Sequence, residues 1–144
     1  MATDRKATVI WNGSLLEGNG TIESSTSGAI GGESVSWKAR STDEAGGSTS
    51  PEELIAAAHA ACFSMALASG LSKDEHPPDS LQTSATVTFQ PGEGITRIAI
   101  SVEGEVPGID AHAFAAAAET AKANCPVSKA LAGVPEISVE ARLR

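Results

Sequence analysis

The sequence predicts a mixed helix-and-sheet fold in the order β-β-β-α-β-β-α-β, and three features predict it. Apolar residues alternate across residues 81–90, 95–106 and 136–144, the period of strands covered on one face. An apolar run over residues 54–71 and an alanine-rich run over 111–123 both carry helix start signals. Ser-Gly-rich turns cut the first forty residues into short strand-like pieces. At 144 residues, the chain is long enough for one domain, residues 1–144, with a real core.

Taken in order, the opening strands are residues 7–11, 19–24 and 33–40, with turns at Asn12-Gly13 and residues 24–32. A polar loop, residues 42–50, leads into the first helix. Ser50 suits its N-cap, Pro51 its first position, and Glu53 completes an S-x-x-E capping box. The helix is apolar nearly all round until Ser69-Gly70, so it is expected to be central and covered on most sides. His76-Pro77-Pro78 then marks a loop. In the next two strands Ala85, Val87 and Phe89 share one face, as do Ile98, Ile100 and Val102, and residues 91–94 form a hairpin loop between them. Asp110 suits the N-cap of helix 111–123. Asn124-Cys125 interrupts that helix, Pro126 restarts a short one to Leu131, and Gly133 stops it. Ile137, Val139, Ala141 and Leu143 alternate in the last strand.

Composition narrows the function classes. A net charge of −8 argues against nucleic acid or an anionic membrane as partner, since both select basic patches. Aromatic residues are only 3% while alanine and glycine abound, which favours close helix packing. The N-terminal residues lack the hydrophobic segment of a signal peptide, so the expected compartment is the cytoplasm. The run 54–71 nears membrane-span length, but His59, Ser64, Ser69 and Gly70 within it favour a buried helix. In a reducing compartment two cysteines are free or transiently catalytic more often than permanently bridged.

The two cysteines, Cys62 and Cys125, are the residues that could carry chemistry. Cys62 lies mid-helix and reads either as a small core residue or as a thiol at work. Cys125, directly before Pro126, stands at a helix start, where the positive end of the macrodipole favours thiolate. A buried thiol beside an activated one is what a two-step thiol redox cycle requires. A metal site is the competing reading: His59 and Cys62, three apart, share a helix face, and Cys125 with His112 could complete a set. No C-x-x-C supports it. His59 otherwise reads as a polar residue in the helix wall, and Arg40 and Glu52 as surface charges.

Thr49-Ser-Pro-Glu-Glu-Leu-Ile-Ala-Ala-Ala-His-Ala-Ala-Cys-Phe-Ser-Met-Ala-Leu67, Val106-Pro-Gly-Ile-Asp110 and Ala121-Lys-Ala-Asn-Cys-Pro-Val-Ser128 together closely resemble the OsmC family, osmotically inducible proteins related to organic hydroperoxide resistance proteins. The resemblance spans nearly the whole chain and points to the OsmC branch. It implies an α+β fold, an intertwined homodimer with central helices between bent antiparallel sheets. It also implies a thiol-dependent peroxidase that needs no cofactor. Cys62 then matches the peroxidatic cysteine and Cys125 the resolving one, while Arg40 stabilises the thiolate and Glu52 orients Arg40. Glu52 and Cys62 stand ten residues apart, about 15 Å along one helix. A shared network therefore implies a contribution from a two-fold-related chain.

On this reading Arg40 lowers the Cys62 pKa from its free value of about 8.5. The thiolate takes the distal oxygen of an organic hydroperoxide, leaving an alcohol and a sulfenic acid. Cys125 condenses with it, and an external dithiol, in this family a lipoyl group, reduces the disulfide. An apolar pocket including Phe63 and Met65 would favour organic substrates. A non-catalytic apolar-ligand binder and a metal-binding stress protein are the alternatives.

Overall fold

Three antiparallel strands, β1 (Ala7–Asn12), β2 (Asn19–Ser25) and β3 (Ser34–Val35), form the first sheet in that order. β3 is two residues long where a strand to Arg40 was expected. Ser36 is the cause: its hydroxyl accepts from the Ala39 N–H at 3.1 Å and caps a one-turn helix, α1 (Trp37–Ser41). Ser41 Oγ and Thr42 Oγ1 donate to the Trp37 and Lys38 carbonyls at 2.8 Å and close its other end. Arg40 therefore stands on a helix.

The second sheet contains β4 (Ser80–Gln90), β5 (Gly94–Glu105) and β6 (Glu136–Leu143) in that order. β4 and β5 form an antiparallel hairpin whose turn takes Gly92 and Gly94 at φ 87° and 94°, a region side chains with a Cβ rarely adopt. β6 runs parallel to β5, which corrects the expectation of purely antiparallel sheets. Two helices intervene, α3 (Ala111–Asn124) and α4 (Pro126–Ala130), and such a crossover is what a parallel neighbour requires. Asp110 caps α3 as expected, accepting from the Ala113 N–H at 2.8 Å.

The computed structural model describes residues 1–144, which divide into two units, Met1–Pro51 and Glu52–Arg144. It is an α+β fold of two sheets and four helices. The apolar core belongs to the second unit. Ile98, Ile100 and Val102 of β5 meet Phe114, Ala118 and Ala121 of α3 and Phe63, Leu67 and Leu71 of the long helix α2 (Pro51–Lys73). Each fully buried Phe or Leu contributes about 1.5–3 kcal/mol, so three on one face are enough to anchor α2. Ser64 Oγ adds a 2.7 Å bond to Thr83 Oγ1 on β4. In the first unit, by contrast, Ile22 is the one buried apolar side chain, and Val9, Ile10 and Trp11 are 53%, 46% and 40% exposed.

Helix α2 departs from expectation. It is long and apolar enough to cross a membrane, yet only Glu52, His59, Phe63, Leu67 and Leu71 are buried. Ala57, Ala58, Ala61 and Met65 remain exposed, so the chain covers one face and leaves the other apolar face open.

Gly104 sets how closely α3 approaches the sheet. A Cβ there would lie 2.5 Å from Phe114 Cζ, inside any tolerable contact. Gly104→Ala should therefore destabilise the protein by about 1–3 kcal/mol in urea unfolding, as overpacking does. Unchanged stability would mean that Phe114 can move aside freely.

Candidate active site

Cys62 and Cys125 meet in the second unit. Cys62 precedes the core residue Phe63 on α2, and the packing that buries Phe63 leaves the neighbouring thiol half-buried against the core. Cys125 is fully buried, at once the C-cap of α3 and the N-cap of α4 with φ −58° and ψ 121°. Pro126 causes this. A residue before proline is steered out of the helical region, while proline itself fits the first position of a new helix. The Cys125 N–H still donates to the Ala121 carbonyl at 2.8 Å, and its carbonyl accepts from the Lys129 N–H at 3.0 Å. The break holds the cysteine from both sides.

The two thiols interact directly, and their surroundings push them apart. Burial raises the Cys62 pKa, the Cys125 thiol adds to the rise, and the Val127 N–H only partly offsets it. Burial acts upward on Cys125 as well. There the Ser128 N–H, the Cys62 thiol, the Ser128 hydroxyl and the Val127 N–H outweigh it and hold the thiol below its usual value. In the reduced chain, negative charge therefore favours Cys125 and the proton favours Cys62. The activation expected for Cys125 from its place before Pro126 is present. The lowering expected for Cys62 is reversed within the chain, because the groups that shift it include no cation.

Arg40 is on α1 in the first unit, and Glu52 is buried in the first turn of α2. Ten residues of helix, about 15 Å, separate Glu52 from Cys62 along α2. Phe63 is committed to the core and Met65 is 73% exposed, so neither builds an enclosed substrate pocket. A groove of about 600 Å³ instead runs between α2 and α3, lined by Ala66, Ser69, Ala117, Asn124 and Pro126 among others.

The sequence marked His59 only as a metal-ligand candidate or helix-wall residue, and it did not single out Ser128. His59, expected in the helix wall, is fully buried, with Nε2 2.7 Å from Ser128 Oγ. Burial pushes its imidazole below the usual histidine range, so the ring is neutral at pH 7. Its Nδ1 is buried without a partner, an arrangement that costs about 1–3 kcal/mol. Ser128 had one signal, its place one turn after Cys125. No three His, Cys, Asp or Glu side chains converge as a metal-ligand set; His59 Nε2 is engaged by Ser128, and His112 is exposed on α3.

Exposure differs enough between the thiols to order their reactions with a reagent from solvent. Iodoacetamide applied to the native reduced protein should alkylate Cys62 first and reach Cys125 only on unfolding, as read by peptide mass mapping. Preferential labelling of Cys125 would contradict the arrangement.

Residues 43–140 match the OsmC-like protein family model. The chain is 41% identical over 147 residues to Peroxiredoxin OsmC of Escherichia coli K12, covering 100% of this chain and 99% of that protein, and equally to the Shigella flexneri protein of that name. Among solved structures it is similar to an OsmC-like protein of Mycoplasma pneumoniae, with TM-score 0.72, 16% identity and 99% of each chain covered. It is similar also to the organic hydroperoxide resistance protein OhrB of Bacillus subtilis, with TM-score 0.61, 23% identity and coverage of 96% and 98%. These two likenesses concern the fold, whereas the full-length identity concerns the family: the chain belongs to the OsmC family.

Proposed function

We propose that the protein is a thiol-dependent peroxidase that reduces organic hydroperoxides to alcohols in defence against oxidative stress. The observation that carries this reading is the direct pairing of a half-buried Cys62 with a fully buried Cys125 held on a helix break. The relative's name, a peroxiredoxin, supports it.

Accessibility supports Cys62 as the first thiol to react in our reading. Peroxide reaches the half-buried Cys62 before the enclosed Cys125. The Cys62 thiolate takes the distal peroxide oxygen, the O–O bond breaks, and the alkoxide leaves as alcohol after protonation. Cys62 becomes a sulfenic acid. Cys125 then attacks the Cys62 sulfur, a disulfide forms, and the departing hydroxide leaves as water. An external dithiol, of lipoyl type in our reading, returns both thiols and is itself oxidised to a disulfide.

Cys62 needs a cation to form thiolate at neutral pH, and Arg40 is our candidate, oriented by Glu52. We place the complete network in a homodimer that makes one OsmC-like domain per chain functional. The open face of α2 and the nearly coreless first sheet support that assembly, because a three-stranded sheet with one buried apolar side chain is not stable alone.

Two substitutions test the cycle. Cys62→Ser should abolish turnover. Cys125→Ser should consume about one equivalent of peroxide per site and stall as the sulfenic acid. Normal turnover of Cys125→Ser with a dithiol would remove Cys125 from the resolving role.

The partner contribution has its own test. Arg40→Ala should lose at least about tenfold in peroxide reactivity at pH 7. Its rate should climb with pH, because Cys62, its pKa raised by burial, gains thiolate only as pH rises toward that value. Refolding equal amounts of Arg40→Ala and Cys62→Ser together should restore about a quarter of wild-type activity, since half the dimers carry one intact site. No restoration would mean that Arg40 acts on its own chain's Cys62.

A further inference from the structure

His59 is the one fully buried histidine, and a core position occupied by a neutral ring with an unpartnered nitrogen calls for a reason. Its imidazole Nε2 meets Ser128, 69 residues away in sequence, and Ser128 in turn bears on Cys125 through both its N–H and its hydroxyl. The direction of this chain of contacts follows from charge. A hydroxyl that can donate to a thiolate forms a stronger bond than one donating to a neutral ring nitrogen. When Cys125 is ionised, Ser128 Oγ–H would then turn to Cys125 Sγ while its oxygen accepts from His59 Nε2–H. The tautomer assigned by this network leaves Nδ1 as a bare lone pair, consistent with its having no acceptor nearby.

We propose that His59 is a positioning residue for the second half of the thiol cycle: it holds the Ser128 hydroxyl in the orientation that donates to Cys125 Sγ. The proposal deepens the peroxidase reading and rests on it for its kinetic consequences. In the condensation, the Cys125 thiolate attacks the Cys62 sulfenic sulfur; the S–S bond forms, the S–O bond breaks, and hydroxide departs with the electron pair and is protonated to water. In the reduction, a thiolate of the external dithiol attacks the half-buried Cys62 sulfur, and the S–S electron pair returns to Cys125, where the Ser128 hydroxyl receives the charge. The second thiol of the reductant then displaces Cys62, which takes up a proton, and the reductant leaves as a disulfide. The buried sulfur is thus the leaving group and the half-buried one the point of attack.

The test reads Cys125 directly. In a Cys62→Ser background, the ultraviolet absorbance of the thiolate follows Cys125 alone through a pH titration. With Cys62 replaced, His59 is the α2 group linked to Cys125 through Ser128, Lys122 on α3 is engaged by Glu119 and the Ile137 carbonyl, and Lys129 on α4 is exposed. Ser128→Ala should move the midpoint up by about one pH unit, a roughly tenfold loss of thiolate at fixed pH, and Ser128→Thr should largely restore it. His59→Gln, whose amide can donate near the Nε2 position, should keep the low midpoint, whereas His59→Asn, too short to do so, should behave like Ser128→Ala. With Cys62 present, Ser128→Ala and His59→Asn should slow disulfide formation relative to sulfenic acid formation, and Ser128→Thr and His59→Gln should not. Identical titrations for the parent and Ser128→Ala would overturn the proposal, as would a His59→Asn midpoint equal to that of His59→Gln. Failure of the peroxidase reading would show instead as an inert wild-type protein, with the titration differences intact.

Discussion

Everything in the site depends on one break in one helix. Pro126 ends α3 at Cys125 and starts α4, and the break carries the thiol into the core opposite Cys62. The same turn sets the Val127 and Ser128 N–H groups where they favour negative charge on that sulfur. α2 is anchored against that point by Phe63, Leu67 and Leu71, so the contact between the sulfurs is a by-product of core packing rather than of a flexible loop. Because burial on both sides is complete for Cys125 and partial for Cys62, the two chemically identical thiols acquire different access to solvent and opposite shifts.

That asymmetry divides the work between the chain and its proposed partner. A single chain is already arranged to make Cys125 a good nucleophile toward sulfur and a good leaving group. Burial works against a thiolate at Cys62, and in our reading a cation is brought to it by the partner chain. The first unit, which carries Arg40, has almost no core of its own, and α2 leaves an apolar face open. In our reading one event, association of two chains, covers both surfaces and supplies the missing charge. Peroxide reactivity would then be confined to the assembled protein.

Much of this was legible in the residues. Alternation located β4, β5 and β6 because each strand has one covered face, and Ser50-Pro51, Asp110 and Pro126 marked the helix starts because their backbone preferences are local. What escaped was set by contacts distant in sequence. α1 is a single turn formed around the Ser36 cap, too short for any periodicity to register. The parallel placement of β6 depends on the crossover path. An all-round apolar helix reads as buried whether its cover comes from its own chain or another, so the open face of α2 had no signal. The pairing of His59 with Ser128 is likewise invisible along the chain, although the activation of Cys125 was announced by the proline beside it.

The most direct test of the central claim is an anaerobic titration of the reduced wild-type protein with cumene hydroperoxide, counting free thiols and mapping peptides by mass. The account predicts loss of both thiols at about one peroxide per chain, with Cys62 linked to Cys125. Survival of both thiols in a modest excess of peroxide would contradict it and leave the cysteine pair as core packing.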